Sequence, residues 1–318
     1  VDDFIALYDQ VYQNPSASSR QSFKTALVRI ETVYGSTLPE LKLKWVEDKN
    51  NMISKMIEKD YSMNSILLTL NMILKLLKTV DAPIKNINDF GQTIQQINNR
   101  NKQKSMDQEL TDKEANIYVP WESIVKTVVE NTTYYLENDI DFIEFRNFVI
   151  LATYVLAPAP VRIGNILNCT YIDGYSGHLV SLLTNNYIVR LLNNKYVFVF
   201  NKYKTAGKLG QQIMDIDSEL LTKLYDKYFT DAKLNKQHHV FVPKDLNGKI
   251  ELIQSDVTLA LHSITDKYFQ KKFSVDMLRH SFITYVLSKD PSLRTKIDIA
   301  ADMGQTYRIN AQEYYRRK

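Results

Sequence analysis

Cysteine is almost missing from this chain: Cys169 is the single one in 318 residues. No intramolecular disulfide can form, and a zinc site built on paired cysteines is excluded. Of five histidines only His238 and His239 adjoin. A dipeptide lacks the spacing that puts two imidazoles on one helical face, so no metal is expected. Glycine (9) and proline (8) are scarce as well. That excludes collagen-like and Gly-rich linker chains and favours a mostly helical protein over turn-dense β repeats. Long apolar runs are also lacking. The most apolar stretch, Ile66 to Leu77, is interrupted by Asn71 and Lys75 and falls short of the ~20 residues a membrane span needs. Val1-Asp2-Asp3 is acidic and has no secretion-signal layout. With the lone cysteine, this points to a reducing, intracellular compartment.

Neither sign of charge dominates: 40 Lys and Arg face 36 Asp and Glu, for a net charge of +4. Where the charges cluster therefore matters more than their sum. The 44% of apolar residues can bury one or two cores, and the length favours two domains.

The first hundred residues read as helices. Ser18-Ser19 caps a helix over about 20–34, with Phe23, Leu27, Ile30 and Val33 on one stripe. Pro39 opens a second, carrying Leu41, Leu43, Trp45, Met52, Ile53 and Met56. Ser62 or Asn64 caps a third, which Pro83 ends. A shorter helix is expected over 87–97. Composition then turns polar from Asn98 to Asn116, the mark of a linker or of a surface helix extending one domain. Domains are accordingly drawn at 1–100 and 118–318, with a linker over 101–117.

In the second domain, helices are expected at 121–137, 141–157, 162–168, 217–229, 255–270, 275–288, 294–302 and 308–317. Between them lie short apolar runs, Leu179–Leu183, Tyr187–Leu192, Lys195–Asn201 and Gln211–Ile216, separated by Asn-rich and Gly-containing turns. Runs of this kind predict a small antiparallel sheet. The fold class is mainly α: a helical N-terminal domain and an α-rich C-terminal domain with a small sheet inside.

Four segments of the C-terminal domain carry reactive side chains. Pro160-Val161-Arg162-Ile163-Gly164-Asn165-Ile166-Leu167 feeds an arginine into the first turn of an apolar helix. Asn201-Lys202-Tyr203-Lys204-Thr205-Ala206-Gly207-Lys208 is a turn with three lysines and no acid. Asp276-Met277-Leu278-Arg279-His280-Ser281-Phe282 buries an arginine among apolar neighbours. Such burial requires an anionic partner, either Asp276 on the same helix or a ligand. The fourth, Met303-Gly304-Gln305, is followed by Tyr314-Tyr315-Arg316-Arg317-Lys318.

Taken in order, these segments resemble the tyrosine recombinase (phage-type integrase) family, whose catalytic domain they would span over 118–318. The family's R-I-x-E-L-L motif is similar to 162–167, its hairpin lysine with a following Thr to Lys204-Thr205, and its H-x-L-R-H-S/T-F motif to 276–282. Its L-G-H…Y motif is similar to Met303-Gly304-Gln305 with Tyr314. The MGQ…QEYYRRK ending looks most like recombinases of large DNA viruses, virophages and related mobile elements.

The resemblance implies a metal-independent, cofactor-free enzyme that cuts and rejoins double-stranded DNA through a covalent 3′-phosphotyrosine. Tyr314 would be the nucleophile, with Tyr315 as its rival. Arg162 and Arg279 would clamp the non-bridging phosphate oxygens, and Lys204 would protonate the leaving 5′-oxygen. Three positions depart from the family: Asn165 replaces its acid, Asp276 its histidine and Gln305 its His or Trp. His280 reads as a packing and hydrogen-bonding residue beside Arg279. Phosphate contacts are expected from Lys24, Arg29, Lys42 and Lys44 in the first domain and from Lys202, Lys208 and Arg308 near the site. A dimer to tetramer on DNA is expected, in nucleus or cytoplasm, wherever viral or host DNA is handled. Two alternatives use the same residues: a type IB topoisomerase-like relaxing enzyme, and a catalytically weakened DNA-binding relative.

Overall fold

The computed structural model describes residues 2–12, 15–41, 44–80, 82–107, 112–232, 239–242 and 252–304. The chain divides into two compact units, Val1–Asp107 and Gln108–Lys318.

The first unit is helical: α1 (Asp2–Val11), α2 (Ala17–Tyr34), α3 (Leu38–Leu41), α4 (Lys44–Glu47), α5 (Lys49–Glu58), α6 (Met63–Thr79) and α7 (Ile84–Asp107). The Ser62 side chain accepts from the Ser65 backbone N–H and caps α6. Ser16, rather than Ser18-Ser19, caps α2, and Gly35 in the left-handed conformation closes it. Phe23, Leu27 and Ile30 of α2 face Ile66, Leu70 and Ile73 of α6 in one core with Trp45, Met52 and Met56. The helix expected from Pro39 to Met56 is three pieces, α3 to α5. Among its core residues lies Lys49, whose ammonium sits 2.7 Å from Asp89 Oδ1 and 2.6 Å from Thr93 Oγ1. Helix α7 runs through the first part of the segment read as polar linker; Asn and Gln tolerate a helix well enough once one face is buried through Phe90 and Ile94.

The second unit contains α8 (Asp112–Ile117), α9 (Trp121–Glu137), α10 (Phe142–Leu156), α11 (Ile163–Leu167), β1 (Thr170–Tyr175), a 3-10 helix (Gly177–Leu182), β2 (Tyr187–Leu191), β3 (Tyr196–Phe200), α12 (Ala206–Leu209), β4 (Gln212–Ile216), α13 (Glu219–Asp231), α14 (Gln254–Phe269), α15 (Val275–Ser288) and α16 (Leu293–Asp302). Helix α10 is buried from Phe145 to Val155 without a solvated face, as an all-round apolar helix must be. It forms the axis against which α9, α13 and α14 pack.

The sheet has the order β1-β2-β3-β4. Strands β2, β3 and β4 fall within about a residue of the sequence expectation and are antiparallel neighbours, with Tyr187 opposite Val199 and Phe200 opposite Gln212. Strand β1, which no alternation revealed, joins the edge in parallel, with Thr170 opposite Tyr187, so the sheet is mixed. A parallel neighbour requires a crossover. The run Leu179–Leu183, expected as a strand, is spent on that crossover as the 3-10 helix. Its Val180 lies over Val189, Val197 and Val199 on one face of the sheet. Tyr196, Phe198 and Phe200 enter the main core from the other face, which leaves all five residues of β3 buried.

No helix among the described residues is long and apolar enough to cross a membrane.

Candidate active site

Pro160 directs the chain out of the 158–160 turn, and Arg162 occupies the N-cap position of α11 in an extended conformation. Its half-buried guanidinium reaches across the fold. Nη1 donates to the Gly304 carbonyl at 2.9 Å. The same oxygen accepts from Thr205 Oγ1 at 2.8 Å, on the lysine-bearing turn between β3 and β4. One residue earlier, the Met303 carbonyl accepts from Arg279 Nη2 at 3.4 Å, while Arg279 Nη1 donates to the Pro160 carbonyl at 2.7 Å. Each of the four segments singled out in the sequence thus contributes a hydrogen bond to one small knot.

The knot exists because α16 ends there. Gly304 adopts φ +66°, a left-handed helix stop open to glycine without strain. The last turn of a helix leaves carbonyls without intrahelical partners and carries partial negative charge. Two guanidiniums and a hydroxyl satisfy the Met303 and Gly304 carbonyls, and Gln212 of β4 donates to that of Ala301.

Beside the knot opens a cleft of about 530 Å³, lined by Arg162, Asn165, Lys202, Lys204, Thr258, Asp276 and others. Three cations and one carboxylate give its rim a net positive charge. Lys202, Lys204 and Asp276 are exposed. Asp276 sits in the first turn of α15, where a carboxylate complements the helix dipole. It makes no ion pair with Arg279, the partner that burial of the arginine had raised as one option. Arg279 is 0% exposed and does not line the cleft. At the cleft floor Asn165 is 3% exposed, and its Nδ2 has no hydrogen-bond partner among the described residues.

Lys208, on α12, is exposed and does not line the cleft. His280 is largely buried, with Nε2 3.9 Å from Glu114 Oε1 of α8. Its neighbours Ser281 and Phe282 fix α15 to the start of α9, by a hydrogen bond to the Val119 carbonyl and an edge-to-face contact with Trp121. Cys169 is sealed in the core, and burial pushes its thiol well above the ordinary range, so it is no nucleophile. In the first unit Lys24 and Lys44 are exposed. Arg29 is drawn inward: Nη1 donates to the Ser65 carbonyl, joining α2 to α6. Lys42, Gln305, Arg308, Tyr314 and Tyr315, and the helix expected over 308–317, lie outside the described residues.

The sequence reading missed Asn186, read only as a turn residue, and gave Thr205 no role of its own. The Asn185-Asn186 dipeptide signals a turn, and nothing in it distinguishes a buried amide from a solvated one.

No family profile matches this sequence, and a search of curated proteins finds no relative. Among solved structures, the chain is similar to the crystal structure of XerA recombinase. The two are 16% identical, the match covers 100% of this chain and 94% of that one, and the TM-score is 0.39.

Proposed function

We propose that this protein is a tyrosine recombinase-type enzyme that cuts and rejoins double-stranded DNA without metal or cofactor. The observation that carries this reading is the convergence of residues 160–162, 205 and 279 on the Met303–Gly304 turn, beside a cleft whose rim holds Arg162, Lys202 and Lys204. These segments lie up to 142 positions apart in the sequence, and they are the ones on which the motif resemblance rests.

In the reaction, the Tyr314 hydroxyl gives its proton to water and its oxygen attacks the scissile phosphorus. A P–O bond to the tyrosine forms and the P–O5′ bond breaks. Attack concentrates charge on the non-bridging oxygens, which Arg162 stabilises from the cleft wall, while the buried Arg279 adds its positive charge without lining the cleft. The leaving 5′-oxygen takes a proton from a cleft ammonium, Lys204. The phosphotyrosine keeps the energy of the broken diester, so a 5′-hydroxyl can reverse the step and rejoin the strand. Among the described residues Arg162 spends a single N–H, on Gly304, which leaves four of its five donors for a phosphate. Tyr314 follows Gly304 by ten positions, a tether of at most about 35 Å fully extended, so anchoring the turn keeps the tyrosine within reach of the cleft.

Strand exchange joins two duplexes, so the active species on DNA is a dimer to tetramer. The MGQ…QEYYRRK pattern supports a viral or mobile-element setting, where integration or excision is the need.

The test is a nicked suicide duplex, whose cleaved end diffuses away and traps the covalent complex, followed by peptide mapping. An adduct on Tyr314 is the expected result. An adduct on Tyr315 reassigns the nucleophile. No adduct, with intact DNA binding, sinks the enzyme and leaves a DNA-binding relative.

A further inference from the structure

Asn186 lies at the point where β2 begins and is 1% exposed. Its side-chain amide makes every hydrogen bond open to it. Oδ1 accepts from the backbone N–H groups of Asn201 (2.9 Å) and Lys202 (2.8 Å), and Nδ2 donates to the carbonyls of Lys202 (2.9 Å) and Asn165 (3.3 Å). Its backbone carbonyl accepts from the Thr170 N–H of β1. Asn201 answers from the other side: its Nδ2 donates to the carbonyls of Leu183 and Asn185, each at 2.8 Å.

The location explains the arrangement. The ladder between β2 and β3 stops at the Tyr187–Val199 pair, after which the chain turns away toward the lysines. Beyond that point no strand supplies partners for the 201–202 backbone, and one buried side-chain amide stands in for it. Its reach to Asn165 crosses to α11, three residues from Arg162. A single residue therefore ties the helix that presents the arginine to the base of the turn that presents Lys202 and Lys204. The tip of the same turn is held separately, by Thr205 on Gly304.

We infer that Asn186 is a positioning residue that sets where the lysine turn stands relative to Arg162, so that guanidinium and ammonium meet one phosphate. It touches no DNA and acts through the lysine. The inference rests on the strand-cleavage reading above. It predicts a loss confined to the proton-transfer half of the step, in which the P–O5′ bond breaks and the 5′-oxygen needs a proton. Replacing that oxygen by sulfur gives a leaving thiolate that departs without one.

The experiment compares the full chain and Asn186→Ala on suicide duplexes with a 5′-oxygen or a 5′-bridging sulfur at the scissile phosphate. On the oxygen substrate the variant is expected to cleave ~10–100-fold more slowly, the scale of a misplaced proton donor. On the sulfur substrate its rate should approach that of the wild type. Asn186→Asp, which keeps both accepted bonds and loses both donated ones, should lie between. A variant slowed equally on both substrates, or on neither, overturns the inference. So does loss of the folded state in both variants, followed by thermal melting, because Asn186 then serves folding alone. If the wild type cleaves neither substrate, the strand-cleavage reading itself fails and takes this inference with it. Wild-type cleavage with a sulfur-insensitive defect sinks only the role of Asn186.

Discussion

Arg162 and Thr205 donate to one acceptor, the Gly304 carbonyl, from 2.9 and 2.8 Å. The two donors come from different elements, the N-terminus of α11 and the turn before α12, and meet at the end of α16. The arrangement links the cationic cleft to the backbone that leads toward Tyr314. A disturbance of any of the three parts is felt by the others.

The two arginines should separate in their effects. Arg162 is half-buried on the cleft wall with one protein hydrogen bond. Arg162→Ala should lower suicide-substrate cleavage by about 10²–10³-fold at a stability cost of only about 1 kcal/mol. Arg279 is fully buried between the Pro160 and Met303 carbonyls. Arg279→Ala removes both of these bonds from the interior and should cost about 3 kcal/mol of stability as well as cleavage. Urea denaturation beside single-turnover kinetics checks the split.

Thr205→Val removes the hydroxyl while keeping the shape. It should destabilise the chain by about 1 kcal/mol, and Thr205→Ser should restore most of that. Equal melting of the valine variant and the wild type would deny the Gly304 contact any weight.

Gly304 holds φ +66°. A methyl group there would find ordinary room, 3.6 Å from the Tyr203 ring, so crowding is not the problem. Backbone strain is, and Gly304→Ala should cost about 1 kcal/mol or more. Because the altered turn carries the acceptor of Arg162, cleavage should fall too. A variant both less stable and slower would be the signature.

Asp302 gives a pH dependence of known sign. Burial, helped by the nearby Asp298, raises its carboxyl above the usual aspartate range. The folded state therefore binds the proton more tightly than the unfolded chain. Asp302 weakens the fold as pH rises from the ordinary aspartate range through that raised value, and the penalty is complete above it. Its place in the last turn of α16 adds an unfavourable dipole term. Asp302→Asn should raise the melting temperature at pH 7, and the gain should vanish below the ordinary aspartate range. A gain independent of pH would contradict the assignment.

In the first unit, Lys49 is buried while its partner Asp89 is 59% exposed. Removing the lysine leaves a carboxylate that water can solvate. Removing the carboxylate's charge leaves an ammonium in the core. Asp89→Asn should therefore cost more, about 1–2 kcal/mol, than Lys49→Met, which should stay within about 1 kcal/mol. Denaturant midpoints of the two variants decide the order.

Most of the helices were legible in the sequence because their signals are local. Ser62 caps α6 as its place before the apolar run implies, and the apolar stripes repeat at helical spacing. Strands β2 to β4 were legible as short apolar runs between Asn-rich turns. Strand β1 was not, because Thr170-Tyr171-Ile172-Asp173-Gly174-Tyr175 has no alternation and gains its place by pairing with a partner beyond a crossover. The break of one expected helix into α3, α4 and α5 was hidden for a similar reason: apolar spacing there reports burial, not continuity.

The sequence by itself determined the helical class and the order of the four motifs with their arginines and lysines. These depend on residues close in the chain, or on side-chain chemistry that position does not change. Only the tertiary structure decided that Arg162, Thr205 and Arg279 close on the end of α16, that Arg279 is buried away from the cleft while Asp276 lines it, and that Asn186 joins the arginine helix to the lysine turn. Those relationships span up to 142 positions. They arise from orphan carbonyls and buried amides that must find partners wherever packing brings them, which no local pattern encodes.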